Sequence, residues 1–170
     1  MNNKMLKFKK IDSDDLEFIY KALSNPELTR FYGVHFNSIE ETQEQMVWYS
    51  SLIDKRKGIW WKAQDKSTGN WIGAAGFNDW DHQRKSAEIG CWVLPQFWGK
   101  GFASEIMKTV ISFGFDEMGL IAINGFIDTN NQSIKKVLKK FNFEHLNSEP
   151  EKDSKTGLQI ISDHYQLKKT

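Results

Sequence analysis

The residues best suited to chemistry stand in one run, Leu94-Pro95-Gln96-Phe97-Trp98-Gly99-Lys100-Gly101-Phe102-Ala103-Ser104-Glu105. Two glycines one residue apart remove Cβ atoms where a chain must turn tightly and let a ligand approach. An alternating apolar stretch precedes the run and an amphipathic one follows, so a helix starts just beyond the glycines. The first N–H groups of that helix have no acceptor inside it, and with the positive end of the helix dipole they suit a phosphate. A plain strand-to-helix turn has the same local sequence, and the run alone does not separate the two readings. Two known phosphate loops do not fit. A dinucleotide fingerprint needs Gly or Ala where Ser104 stands, and a Walker loop needs four residues between its glycines and a following Lys-Ser/Thr.

Other reactive side chains form no pattern. The four histidines, His35, His82, His145 and His164, lack the H-E-x-x-H or any paired spacing, so no metal site is expected. The single cysteine, Cys91, rules out an intramolecular disulfide and a cysteine-rich zinc site, and is read as core packing.

The elements that must position the run follow from periodicity. Residues 4–11 alternate as a first strand. Asp12 is an N-cap with Asp15 three residues on, and Leu16, Ile19, Tyr20 and Leu23 carry a helix that Asn25-Pro26 ends. Ser38-Ile39-Glu40-Glu41 is a capping box for a second helix to about Lys55, its apolar positions being Ile39, Met46, Val47 and Ile53. Residues 59–64, 71–77 and 86–94 read as strands. In the last of these Ala87, Ile89, Cys91 and Val93 share one face and Glu88, Gly90, Trp92 and Leu94 the other. A helix over about 101–117, a strand over 120–127, a helix capped by Asn130 or Asn131, and short strands near 143–147 and 158–167 complete the chain. The expected fold is α/β of the α+β kind: a single mixed, mostly antiparallel central sheet flanked by helices, with one βαβ unit placing two strands parallel.

The 170 residues suit one domain over 1–170, and 39% apolar content suffices for a sizeable core. Lys+Arg 23 against Asp+Glu 22 gives a net charge of +1, which makes no global case for nucleic acid or an anionic membrane. The N-terminus has no apolar signal core and no stretch is long enough to span a bilayer, so a cytoplasmic protein is expected.

The order of elements, Gln96-x-x-Gly99-x-Gly101 and the downstream Asn130-x-x-Ser133 together resemble the GNAT N-acetyltransferase family, most closely its ribosomal-protein N-terminal acetyltransferases. The resemblance is densest from Ala87 to Phe143, in AEIGCWV, QFWGKGFASE and DTNNQSIKKVLKKFNF. Two departures are Cys91, where the family often has Tyr, and Asn142-Phe143 in place of Gly-Phe. Asn tolerates the left-handed conformation wanted there.

The resemblance implies the acyl-CoA N-acyltransferase fold, with acetyl-CoA as cosubstrate and no metal, lying between the splayed strands 86–94 and 120–127. Its pyrophosphate would sit on the amides of Gln96, Phe97, Trp98, Gly99, Lys100, Gly101, Phe102 and Ala103. The pantetheine arm would pair with the edge at Trp92, Val93 and Leu94, and Asn130 would bond its amides. A free strand N–H near Cys91 or Trp92 would hold the oxyanion, Ser133 would meet the departing thiolate, and Glu88 would be the base. Glu88 also reads as a structural carboxylate, Ser133 as a first-turn helix residue and Asn130 as a cap. Asp79, Asp81 and His82 are alternative bases. Lys100, Lys135 and Lys136 would steer the anionic cosubstrate or simply solvate a surface. Phe31, Tyr32, His35 and Trp80 would wall the acceptor site. The acceptor would be a peptide N-terminus or a small-molecule amine, with no nucleic acid or membrane partner, and a homodimer is compatible with this. A CoA-binding sensor or scaffold without turnover is the alternative.

Overall fold

The computed structural model describes Met1 and residues 3–170. Strand β1 (Leu6–Lys10) leads through a 3-10 turn (Ser13–Asp15) into α1 (Leu16–Leu23), α2 (Pro26–Thr29) and α3 (Ile39–Asp54). A meander follows: β2 (Ile59–Asp65), β3 (Trp71–Asp81) and β4 (Ser86–Val93). A second 3-10 turn (Pro95–Phe97), α4 (Phe102–Asp116), β5 (Ala122–Asp128), α5 (Gln132–Lys140), β6 (Glu144–Lys152) and β7 (Gln159–Lys168) complete it. All seven strands form one sheet in the order β1-β2-β3-β4-β5-β7-β6, and only β4 and β5 run parallel.

Strand alternation decides which side each residue serves. Ala87, Ile89, Cys91 and Val93 of β4 join Ile106, Met107 and Val110 of α4 and Leu138 of α5 in one core. Trp92 and Leu94 turn to the opposite face, packing with Ile19 and Leu23 of α1 and Met46, Tyr49 and Leu52 of α3. Large side chains with under 2% exposure, such as Phe77, Ile106 and Ile123, each contribute about 1.5–3 kcal/mol by leaving water.

Local signals explain most elements. Asp12 and Asp15 form a reciprocal capping box, and Ser38 accepts from the Glu41 N–H at the start of α3. Asn25-Pro26 ends α1 but also starts α2: the Asn25 side chain accepts from Glu27 and Leu28 N–H, with proline at the first helical position. On α3 the buried stripe is Thr42, Met46, Tyr49 and Leu52, so Val47 (65% exposed) and Ile53 (42%) point to solvent, unlike the sequence expectation. The last two strands are 9 and 10 residues long rather than short, because β7 pairs with β5 along its length and carries β6 outward. No helix among the described residues is long and apolar enough to cross a membrane.

Candidate active site

The parallel pair at the sheet's centre is brief. β4 and β5 pair at Ser86↔Ala122, Ala87↔Ile123 and Glu88↔Asn124, after which the strands part. On its other side β4 stays bonded to β3, the Leu94 N–H donating to the Ile72 carbonyl at 2.9 Å. Bonded pairs recur every second residue in an antiparallel ladder, and the register continues them through Trp92–Ala74 and Gly90–Gly76. The main-chain groups of Cys91 and Val93, and the Ile89 carbonyl, therefore face the gap, the Ile89 N–H being used in the last parallel pair. Two of them have side-chain partners: the Tyr32 hydroxyl donates to the Cys91 carbonyl, and the Trp98 indole N–H donates to the Val93 carbonyl at 2.6 Å. Of Trp92, Val93 and Leu94, only Val93 turns its main chain to the gap. The N–H available beside the break in pairing belongs to Cys91, not Trp92.

Past Leu94 the chain bends as the glycines suggested. Gly99 (φ 73°) and Gly101 (φ 82°) are left-handed, and a Cβ built on either meets nothing within 4 Å. Phe97 and Trp98 N–H groups are spent on Leu94 and Pro95 carbonyls. From Gly99 to Ser104 no N–H has an acceptor among the described residues, and the helix ladder begins with Glu105 donating to Gly101 at 3.2 Å. Six consecutive main-chain donors are thus without acceptors at the start of α4, where the helix dipole adds positive potential. Phe97 packs edge-on against Phe102 at 6.0 Å, and the Lys100 ammonium returns to the Gln96 carbonyl at 3.1 Å. Trp98 stays 46% exposed beside the gap, and Ala103 is half-buried in the first turn of α4. The space in front of Gly99 and Gly101 is open, and the one acidic side chain of the first turn is Glu105.

A cavity of about 630 Å³ passes through the gap, from Met107, Ile134 and Leu138 on one side of the sheet to α3 and the loop after α2 on the other. Its floor explains two glycines in apolar strands. A Cβ at Gly76 would stand 2.5 Å from Trp60 Cγ, and one at Gly90 would stand 2.5 Å from Trp60 Cη2. The Trp60 indole therefore lies across β3 and β4, where only glycine leaves space, and ends in the cavity lining. Trp48 (6.0 Å) and Tyr49 (5.6 Å) pack on that ring. Its Nε1–H is the one buried side-chain donor without an acceptor among the described residues. Phe31, Tyr32 and Phe36 line the cavity from the loop, which the β6–β7 hairpin holds: Ser154 Oγ donates to the Gly33 carbonyl at 2.6 Å and Lys155 Nζ to Thr29 at 2.9 Å. His35 and Trp80 do not line it; His35 meets Thr29 Oγ1 at 2.9 Å, and Trp80 stacks near His82.

Glu88 lines the same cavity. Its carboxyl is pushed up to about 7, first by burial and then by the neighbouring Asp79 carboxylate, while a hydrogen bond with Asn78 opposes the rise. The alternative bases are engaged or exposed. Asp81 accepts from the Gln83 and Arg84 N–H groups, His82 meets the Arg56 carbonyl, and Asp79 sits at the surface. Burial pushes the Cys91 thiol up to about 12 and holds the Tyr32 phenol well above its ordinary value, so both stay protonated.

Across the gap, Asn131 rather than Asn130 caps α5, accepting from the Ile134 N–H at 3.3 Å. Asn130 is exposed and donates to Asp128 Oδ1 at 3.0 Å. Ser133 is exposed on the first turn of α5, outside the cavity lining. Lys135 is tied to Asp163 at 2.6 Å, and Lys136 is exposed.

Sequence reasoning singles out the glycine bend, Glu88 and Tyr32, of which the last two line the cavity, but not Trp60, Trp48 and Tyr49, which line it too. Glycines at 76 and 90 inside apolar strands were the available signal, since such glycines mark a close approach.

The family model for an acetyltransferase (GNAT) domain matches residues 6–144. The uncharacterized N-acetyltransferase YoaA of Bacillus subtilis (strain 168) is 34% identical over 137 residues, covering 80% of this chain and 77% of the relative. Among solved structures, spermidine N-acetyltransferase from Vibrio cholerae in complex with CoA and spermine superposes with a TM-score of 0.85 at 19% identity, covering 98% of this chain and 96% of that one. RimL, a ribosomal L7/L12 alpha-N-protein acetyltransferase in complex with coenzyme A, superposes with a TM-score of 0.84 at 15% identity, covering 98% and 95%.

Proposed function

This chain belongs to the GNAT acetyltransferase family and moves an acetyl group from acetyl-CoA to an amine, and from that premise we propose how its residues divide the work. The pyrophosphate of acetyl-CoA binds the main-chain donors of Gly99 to Ser104, with Gln96, Phe97 and Trp98 shaping the bend. Those six unbonded N–H groups are the observation that carries the reading. The pantetheine arm runs back along the gap-facing groups of Val93 and Cys91, about 10 Å of strand from Leu94 at some 3.3 Å per residue. Trp98 gives up the Val93 carbonyl to it. Asn130, beside α5 at the far wall, bonds the arm once its side chain leaves Asp128.

The acceptor, a peptide N-terminus or a small-molecule amine, enters from the α1–α3 face. Its nitrogen attacks the thioester carbonyl carbon directly: the N–C bond forms, the C–S bond breaks, and the ammonium proton passes to Glu88, directly or through one water. The Cys91 N–H meets the developing oxyanion. The sulfur leaves as a thiolate, an acceptable leaving group because a free thiol titrates near 8.5. Tyr32, whose hydroxyl already points into the gap, swings from the Cys91 carbonyl to bond that thiolate. Ser133 is the competing donor, from the first turn of α5. The reading takes residues 1–170 as one domain and the enzyme as cytoplasmic.

The test is thiol release from acetyl-CoA with and without amines, run beside CoA binding. Gly101→Glu should weaken CoA by at least tenfold through negative charge and a strained positive φ, with the circular dichroism of the wild type. Unchanged affinity in that folded variant overturns the loop assignment. Tyr32→Phe should lower kcat more than Ser133→Ala, and the reverse order returns the role to Ser133.

A further inference from the structure

The acceptor half of the cavity divides its chemistry unevenly. One end of the lining carries Glu88, with the exposed carboxylates of Asp79 and Glu151 near enough to act on it electrostatically but outside the lining. The rest of that half is aromatic: Phe31, Tyr32 and Phe36 from the loop, Trp48 and Tyr49 from α3, and the Trp60 indole spread across Gly76 and Gly90. Glu44 is the other carboxylate of the lining. Away from Glu88 the lining offers that one carboxylate and otherwise aromatic faces, so most of the contact an acceptor makes there is with rings. An acceptor with a single charge would place it at Glu88 and its body on the rings.

The aromatic half is also built to stay open. Trp60 fits only because two adjacent strands carry glycine beneath it. The loop bearing Phe31 to Phe36 is tied by Ser154 to Gly33 and by Lys155 to Thr29, and its Tyr32 and Phe36 pack on the cluster that includes α3, which fixes where these rings stand in the lining. Flat faces in a pre-formed hollow favour a rigid apolar ligand, which loses little conformational freedom on binding.

We propose that the acceptor is a primary amine carrying one positive charge on an aromatic or bulky apolar body, with Trp48 and Trp60 as the residues that select it. This rests on the acetyl-transfer reading above and narrows its substrate. Two sources share that chemistry, a free arylalkylamine and a peptide beginning with a bulky apolar residue.

The experiment measures calorimetric binding of 2-phenylethylamine, a tripeptide amide beginning with Phe, a tripeptide amide beginning with Gly, and spermidine to the protein–CoA complex. Thiol release from acetyl-CoA is followed in parallel. Either apolar-bodied amine should bind at least tenfold tighter than spermidine or the Gly peptide, and the better of the two names the source. Trp48→Ala should erase most of that preference while leaving CoA affinity within twofold. Equal or tighter binding of spermidine or of the Gly peptide overturns the proposal, as does binding of none of the four. Selective binding without thiol release supports the selectivity and overturns turnover instead, so the two readings fail separately.

Discussion

Glu88 shows most clearly what one residue's surroundings do to its chemistry. An ordinary carboxyl is ionised far below neutrality and is too weak a base for an amine. Burial and the Asp79 carboxylate bring this one to about 7, near working pH. The active form is the carboxylate, so the rate should climb with pH through about 7. Glu88→Gln should flatten that limb and cut kcat/KM about 10²-fold at pH 7, with partial recovery at higher pH as more amine deprotonates. An unshifted pH–rate profile removes Glu88 as the base. The same raised value carries a stability effect. The folded protein holds a proton there that the unfolded chain has released, so stability falls as pH rises from about 4.5 towards 7. Glu88→Gln should therefore melt roughly 2–6 °C higher than wild type at pH 8 and within error of it at pH 4. The sequence placed Glu88 on the Trp92 face of its strand but carried no sign of its proton affinity, which depends first on burial and then on Asp79 being folded beside it.

Among the elements, the central strands were the most legible and the least predictable in detail. Alternation put Ala87, Ile89, Cys91 and Val93 on one face of β4 and Trp92 on the other. Which main-chain groups are free is a matter of register with β3, and no pattern along a single strand encodes that. The same holds for Trp60, whose placement needs Gly76 and Gly90 from two other strands. Gly90→Ala would put a methyl 2.5 Å from Trp60 Cη2. The ring must then tilt, costing about 1–3 kcal/mol by overpacking and a fall in melting temperature of about 2–4 °C per kcal/mol. Acceptor KM should rise severalfold with CoA affinity unchanged. A loss of CoA binding in that variant would mean that the two halves of the cavity are coupled through β4. Helix α2 was missed because Asn25-Pro26 serves as a stop and a start alike, and the α3 stripe was read one position off because Val47 and Ile53 are apolar yet exposed.

At the scale of the molecule, one sheet carries two unlike layers and opens along one seam. The family, the fold and the glycine bend after Leu94 were legible because they depend on element order and on a contiguous run of residues. The cavity was not, because it gathers side chains from β2, α3 and the loop after α2 with residues of β4. A ligand that binds only the folded state stabilises it by mass action, about 2.7 kcal/mol at a hundredfold excess over its Kd. Saturating CoA should accordingly raise the melting temperature by roughly 5–10 °C, and loss of that shift in Gly101→Glu would locate the effect at the bend.

The knot between the β6–β7 turn and Gly33 has an evolutionary reading. A Cβ on Gly33 would come within 2.9 Å of Ser154 Oγ, so residues 121 positions apart fit each other as a matched pair. Drift in the late turn is felt by the early loop that borders the acceptor. Grafting the turn alone from a relative would alter which amine is preferred and leave the grip on the coenzyme untouched, which makes this distant corner a place where new specificities can arise without rebuilding the catalytic seam.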